Sequence, residues 1–134
     1  MFTAFTQQDC NELLHTRTNE TKLGQRVLLA KQGLSLQQNA QDAAARGARF
    51  AIIAIAEDIG PRANFGRAGA NQAFLACMKQ FINLQSNRFL DGNECVILGQ
   101  ISLTSAPQLT ASIDELRHAT AELDTIVIEA TTQL

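Results

Sequence analysis

Apolar and polar positions alternate in blocks along the chain, and each block has a readable period. Thr6 and Asp9 form a capping pattern ahead of a short helix to which Leu13 and Leu14 contribute apolar surface. A second helix is expected from Asn19, with Leu23, Val27 and Leu28 on one side, closing at Gly33. Ser35 and Gln38 repeat the capping pattern, and Leu36, Ala40, Ala43 and Ala44 give a narrow stripe before Gly47. Phe50–Ala56 is continuously apolar, rich in isoleucine and short, which predicts a strand covered on both faces. Val96–Leu98 within Cys95–Ile101, and Ile126–Ile128, read as two further strands of this kind.

Helical patterns fill the intervals. Ala70, Phe74, Cys77, Phe81 and Leu84 recur at helical spacing, and Leu75, Met78 and Ile82 widen the stripe. Pro107 suits the first turn of a last helix whose inner face includes Leu109, Ile113, Leu116 and Leu123. Strand, helix, strand, helix, strand is α/β organisation, a small three-stranded parallel sheet with flanking helices. The expected layout is a single domain over residues 1–134, with 1–34 as an amino-terminal helical extension.

Composition narrows the class. With 134 residues, 46% hydrophobic, 18% charged and two prolines, the chain is long and apolar enough to fold around one core. A net charge of -2 with no tyrosine or tryptophan argues against a nucleic-acid binder, because neither a basic field nor stacking partners accompany the arginines. No apolar run is long enough to span a membrane. Cys10, Cys77 and Cys95 are odd in number and widely spaced, and no leader-like segment opens the chain, so a cytoplasmic, reduced setting is expected.

Chemical character concentrates after the first predicted strand, in Glu57–Ala70. Loops beyond the carboxyl ends of strands are where α/β proteins bind ligands. Gly60, Gly66 and Gly69 permit tight turns there, while Arg62, Asn64 and Arg67 are candidates for binding a small carboxylate. The competing reading is a structural loop whose acids and bases pair with one another. Elsewhere the chemistry is thin. His15 and His118 fall on different predicted helices; Glu115, His118 and Glu122 share a helical face that reads as ordinary solvated surface. Cys77 and Cys95 sit in apolar patterns, and no histidine near Cys10 in sequence suggests activation of its thiol. No catalytic residue and no metal ligand is assigned.

Three stretches carry a family resemblance: Glu20-Thr21-Lys22-Leu23-Gly24-Gln25-Arg26-Val27, Glu57-Asp58-Ile59-Gly60-Pro61-Arg62-Ala63-Asn64-Phe65-Gly66-Arg67, and Phe81-Ile82-Asn83-Leu84-Gln85-Ser86-Asn87. The run from Asn19 to Asn87 resembles the amino-terminal region of formimidoylglutamases, in the arginase/agmatinase/ureohydrolase superfamily. The resemblance implies a truncated arginase-like fold with strand order 2-1-3. Phe50–Ala56 would then be central and Thr125–Ala130 a bare edge. It also implies descent from enzymes that hydrolyse formiminoglutamate to glutamate and formamide in histidine degradation, using a hydroxide held between two manganese ions.

The same resemblance exposes what differs. The family's Gly-Gly-Gly-His turn should follow the third strand, where this chain has Glu129-Ala130-Thr131-Thr132-Gln133-Leu134, and the later aspartate-rich motifs do not appear. Ala54-Ile55-Ala56 replaces the family's Gly-x-Pro, and Ala68 stands where a proline is usual. The expectation is therefore a catalytically inactive ureohydrolase-like protein with an association role. No cofactor is expected, and a homodimer or another chain would cover the open edge. Two alternatives stand beside it: a manganese-dependent formiminoglutamate hydrolase active only within a longer protein or complex, and a carboxylate-binding module built on the 57–70 loop.

Overall fold

The computed structural model describes residues 1–132 and 134. Its elements in chain order are β1 (Phe2–Ala4), α1 (Gln7–Leu13), β2 (Leu28–Leu29), α2 (Leu36–Ala45), β3 (Phe50–Ile55), α3 (Ile59–Ala63), α4 (Ala73–Phe81), β4 (Cys95–Ile101) and α5 (Ile113–Thr132). Short 3-10 turns at Leu23–Gln25 and Ala70–Gln72 precede β2 and α4. Two expected capping boxes form. Thr6 and Asp9 exchange side-chain and backbone bonds at the start of α1, and Ser35 and Gln38 do so at α2.

The sheet is four-stranded and mixed, and β4 organises it. β3 runs parallel along one edge of β4, from Phe50 opposite Cys95 to Ile55 opposite Ile101. The other edge is shared: β2 pairs in parallel with Val96 and Ile97, while β1 pairs antiparallel with Gly99–Ile101. This overturns the three-stranded parallel sheet of order 2-1-3. Phe50–Ala56 lies at an edge, with Phe50 58% and Ile55 48% exposed, whereas Val96, Ile97, Leu98 and Ile101 of β4 are no more than 2% exposed. Both strands are apolar runs, so their pattern does not say which one is enclosed. What decides is that the amino-terminal segment and β2 both dock on β4.

The expected third strand is also corrected. Thr125–Ala130 belongs to α5, a helix of 20 residues. Ile126-Val127-Ile128 has strand-like β-branching, but Leu116, Ala119, Leu123, Val127 and Ala130 recur every three or four residues and bury one continuous face. That face packs on Ile59, Ala63 and Leu103 near its start, and on the sheet beside Ile53 and Leu98 near its end. Twenty residues of helical hydrogen bonding outweigh a three-residue propensity. Gln133, part of the turn expected after that strand, lies outside the described residues.

Two further elements depart from expectation. The helix anticipated from Asn19 is a 3-10 turn followed by β2. Leu23 N–H donates to Leu84 O and Gly24 N–H to Ile82 O, so long-range partners replace the helical ladder. Consequently the first and third family-like stretches lie side by side, with Lys22 bridging to Gln85 and Ser86 N–H donating to Thr21 O. The last helix begins after Ser112 instead of at Pro107, leaving Leu109 81% exposed. Ser112 and Glu115 cap it reciprocally, and the Ser112 backbone N–H holds the Glu115 carboxyl below the usual carboxylate range.

Candidate functional site

The loop after β3 is organised by its own acids. Glu57 Oε2 accepts from Gly60 N–H at 2.9 Å and caps α3. Asp58 is divided between two tasks: Oδ2 accepts from Gly69 N–H at 3.0 Å, and Oδ1 lies 3.6 Å from Arg62 Nη1. The loop therefore closes on itself through one carboxylate. Phe65 adopts a left-handed backbone (φ 60) while its side chain stays 83% exposed. The chain then turns back so tightly that Gly66 N–H donates to Pro61 O at 2.7 Å. A Cβ on Gly66 would sit 2.8 Å from that same oxygen, so the turn requires glycine.

The three candidate binding residues do not converge. Arg62 points inward, its side chain 10% exposed. Nη1 donates to Pro107 O at 3.4 Å, and Nη2 donates to Gln108 O. The guanidinium thereby ties α3 to the segment that leads into α5, and both of its outer nitrogens are occupied. Asn64 and Arg67 are exposed, and neither side chain has a hydrogen-bond or ion-pair partner among the described residues. The cavity beside the loop, lined by Ala56, Glu57, Asp58, Asn71 and Ser102, holds about 50 Å³. Small-molecule sites occupy roughly 300–1,000 Å³. The loop is thus a clasp in which Asp58 and Arg62 are committed to structural partners, while Arg67, among the described residues, stays free at the surface.

Its clasp role gives an expected outcome. Arg62→Ala removes two carbonyl partners and leaves Asp58 without its counter-ion, and should cost about 2 kcal/mol in urea unfolding. Arg67→Ala should stay within about 0.5 kcal/mol of the parent. Equal effects at the two positions would show that Arg62 does not hold the loop.

The remaining chemistry is dispersed. Cys10 and Cys95 are buried, and burial raises both thiols, reinforced by Asp9 at the first and by Glu94 and Asp91 at the second. Cys77 is exposed, because α4 turns Met78 and Ile82 to the core and only partly buries Phe74 and Phe81. His15 and His118 are both exposed on separate segments, and Glu115 of the expected acidic face is used as a cap. Among the described residues, no three histidine, cysteine or carboxylate side chains gather as a metal centre would require. Two larger clefts, of about 590 and 300 Å³, flank β1 and α1. Sequence reasoning missed them because a three-residue strand carries too little pattern to announce itself. Asp9, which lines both, is already bonded to Thr6, and Glu12 in the second accepts from Gln8.

The outer side of β3 is an exposed apolar strand edge, with Phe50 58% and Ile55 48% exposed. Phe50 N–H donates to Glu94 O and Ala56 N–H to Ile101 O, so the even-numbered residues face β4. By strand alternation Ala51, Ile53 and Ile55 direct their N–H groups away from it, and among the described residues β3 pairs with no strand on that side. At its amino end Phe50 lines a hollow with Arg88, Phe89 and Leu90, and Phe89 is 84% exposed.

Among the described residues no helix is long and apolar enough to cross a membrane. Compared with family models, curated proteins and solved structures, the chain finds no match.

Proposed function

We propose that this chain is a non-catalytic, cytoplasmic association module of ureohydrolase-like descent, related to formimidoylglutamases, whose working surface is the free edge of β3. The observation that carries the reading is the one-sided pairing of an apolar strand. β3 supplies outward N–H groups at Ala51, Ile53 and Ile55 with no strand among the described residues to receive them, a feature that a protein acting alone would cover or charge. Three free cysteines, two of them buried, fit a reducing compartment.

The residues present do not suit a dimanganese centre. In the resembling family the first histidine ligand follows a third strand, and here Thr125–Ile128 is helical and packs its apolar face inward. His15 lies in the loop after α1 and His118 on α5, and among the described residues neither joins a group of three potential metal ligands. Recognition of a small carboxylate is disfavoured in turn, because Arg62 is committed to Asp58, Pro107 and Gln108.

Manganese titration of the purified chain, followed by an assay of formamide release from formiminoglutamate, tests the reading. No stoichiometric metal uptake and no turnover are expected. Manganese-dependent turnover by this chain alone would overturn it.

A further inference from the structure

Resting on the reading of β3 as an association edge, we propose that its partner is a second copy of this chain, paired antiparallel through β3 with Ile53 opposite Ile53. A two-fold axis perpendicular to the sheet maps each face onto itself, so opposed residues share a face and their numbers sum to an even value. The order along the edge is Arg49, Phe50, Ala51, Ile52, Ile53, Ala54, Ile55, Ala56, Glu57. With Ile53 on the axis, Arg49 of each copy meets Glu57 of the other. Phe50 meets Ala56, Ile55 meets Ala51, and Ile52 meets Ala54. Every bulky side chain away from the axis faces an alanine, and unlike charges close both ends.

Neighbouring registers lose this match. Shifting the axis to Ile52 places Arg49 against Ile55, and shifting it to Ala54 places Glu57 against Ala51. The hydrogen-bonding parity agrees as well. Ala51, Ile53 and Ile55 point their backbone groups outward, and the proposed register opposes Ala51 with Ile55 and Ile53 with itself. All three pairs are therefore of the hydrogen-bonded kind. The end charges are available for the exchange. Arg49 and Glu94 form a 3.1 Å pair with side chains 69% and 52% exposed, which holds Arg49 only loosely. Glu57 uses Oε2 to cap Gly60, leaving Oε1 for a second donor. Two four-stranded sheets would become one continuous sheet across the axis.

Sedimentation equilibrium, with circular dichroism to verify folding, tests this on the full chain. The parent should be dimeric, and Arg49→Glu and Glu57→Arg should each weaken the dimer about tenfold by opposing like charges at both ends. Mixing the two single variants, or combining both changes in one chain, restores opposite charges across the axis and should restore association. Ala51→Pro removes an outward N–H without touching the ladder to β4, and should abolish the dimer. A parent that stays monomeric at every concentration overturns the proposal. A dimer lost in Ala51→Pro but indifferent to the charge changes also overturns this register, while leaving edge association in place. Either result is separate from manganese-dependent turnover, which strikes the functional reading itself.

Discussion

Gly99→Ala should destabilise the fold by about 4 kcal/mol, a large share of the roughly 5–15 kcal/mol that holds a domain of this size. Gly99 sits at φ +132 in the middle of β4, a backbone conformation that side chains strain. A Cβ there would lie 2.1 Å from Thr3 O, 2.8 Å from Phe5 N and 3.0 Å from Ala4 Cα. All three are backbone atoms of the amino-terminal segment, so no rotamer change relieves the overlap. Relief requires β1 to leave β4, which breaks the pairs Ala4–Gly99 and Phe2–Ile101 and the bond from Phe5 N–H to Leu98 O. Phe5, now 5% exposed and stacked edge-on against Phe74 at 5.8 Å, would lose its seat. Urea unfolding should show a lower midpoint together with a smaller slope, since less surface remains to be exposed. A loss below about 1 kcal/mol would mean that β1 contributes little to the fold.

Asn39→Ala should cost about 3 kcal/mol and lower the melting temperature by roughly 10 °C. Asn39 is 2% exposed. Its Oδ1 accepts from Lys31 N–H at 2.7 Å, and its Nδ2 donates to Lys31 O at 3.2 Å, Leu34 O at 3.2 Å and Ser35 O at 3.1 Å. One amide thus serves the backbone of the whole turn between β2 and α2. Truncating it strips the Lys31 N–H, Lys31 O and Leu34 O of their partner on the turn, while Ser35 O keeps its bond from the Asn39 backbone N–H. Asn39→Asp sharpens the test. The carboxylate keeps the acceptor for Lys31 but faces three carbonyl oxygens, so its pKa is raised in the folded state. A group with a raised folded pKa disfavours folding when ionised, and the penalty fades as pH falls through that value. The Asp variant should therefore recover stability on mild acidification, while the Ala variant should not. Parallel pH profiles of melting temperature for the two would contradict this account.

Several features were legible without coordinates because their causes are local. The boxes at Thr6–Asp9 and Ser35–Gln38 need only side chains three residues apart. The runs 50–55 and 95–101 formed strands because they are apolar, short and bounded by turns. The stripe over Phe74–Ile82 gave a helix, Ala73–Phe81, that buries Met78 and, one turn on, its capping residue Ile82. The polar loop after β3 is distinctive in composition alone, with acids, arginines and glycines packed into Glu57–Ala70. Which pairs form was another matter: Arg62 reaches Pro107 and Gln108 across 45 and 46 positions of chain, beyond any local pattern.

By itself, then, the sequence determined the capped starts of α1 and α2, the two long strands and the place of the polar loop after β3, since capping, apolar runs and glycine turns act over a few residues. The tertiary structure decided which strand is enclosed. Val96–Leu98 and Ile52–Ile55 are similar as patterns, and only docking of Phe2–Ala4 and Leu28–Leu29 on β4 sends β3 to the edge. It likewise decided that Thr125–Ile128 is helical, because the face running from Leu116 to Ala130 finds α3 and the sheet to pack on. Burial is a property of neighbours, and neighbours here are brought together from opposite ends of the chain.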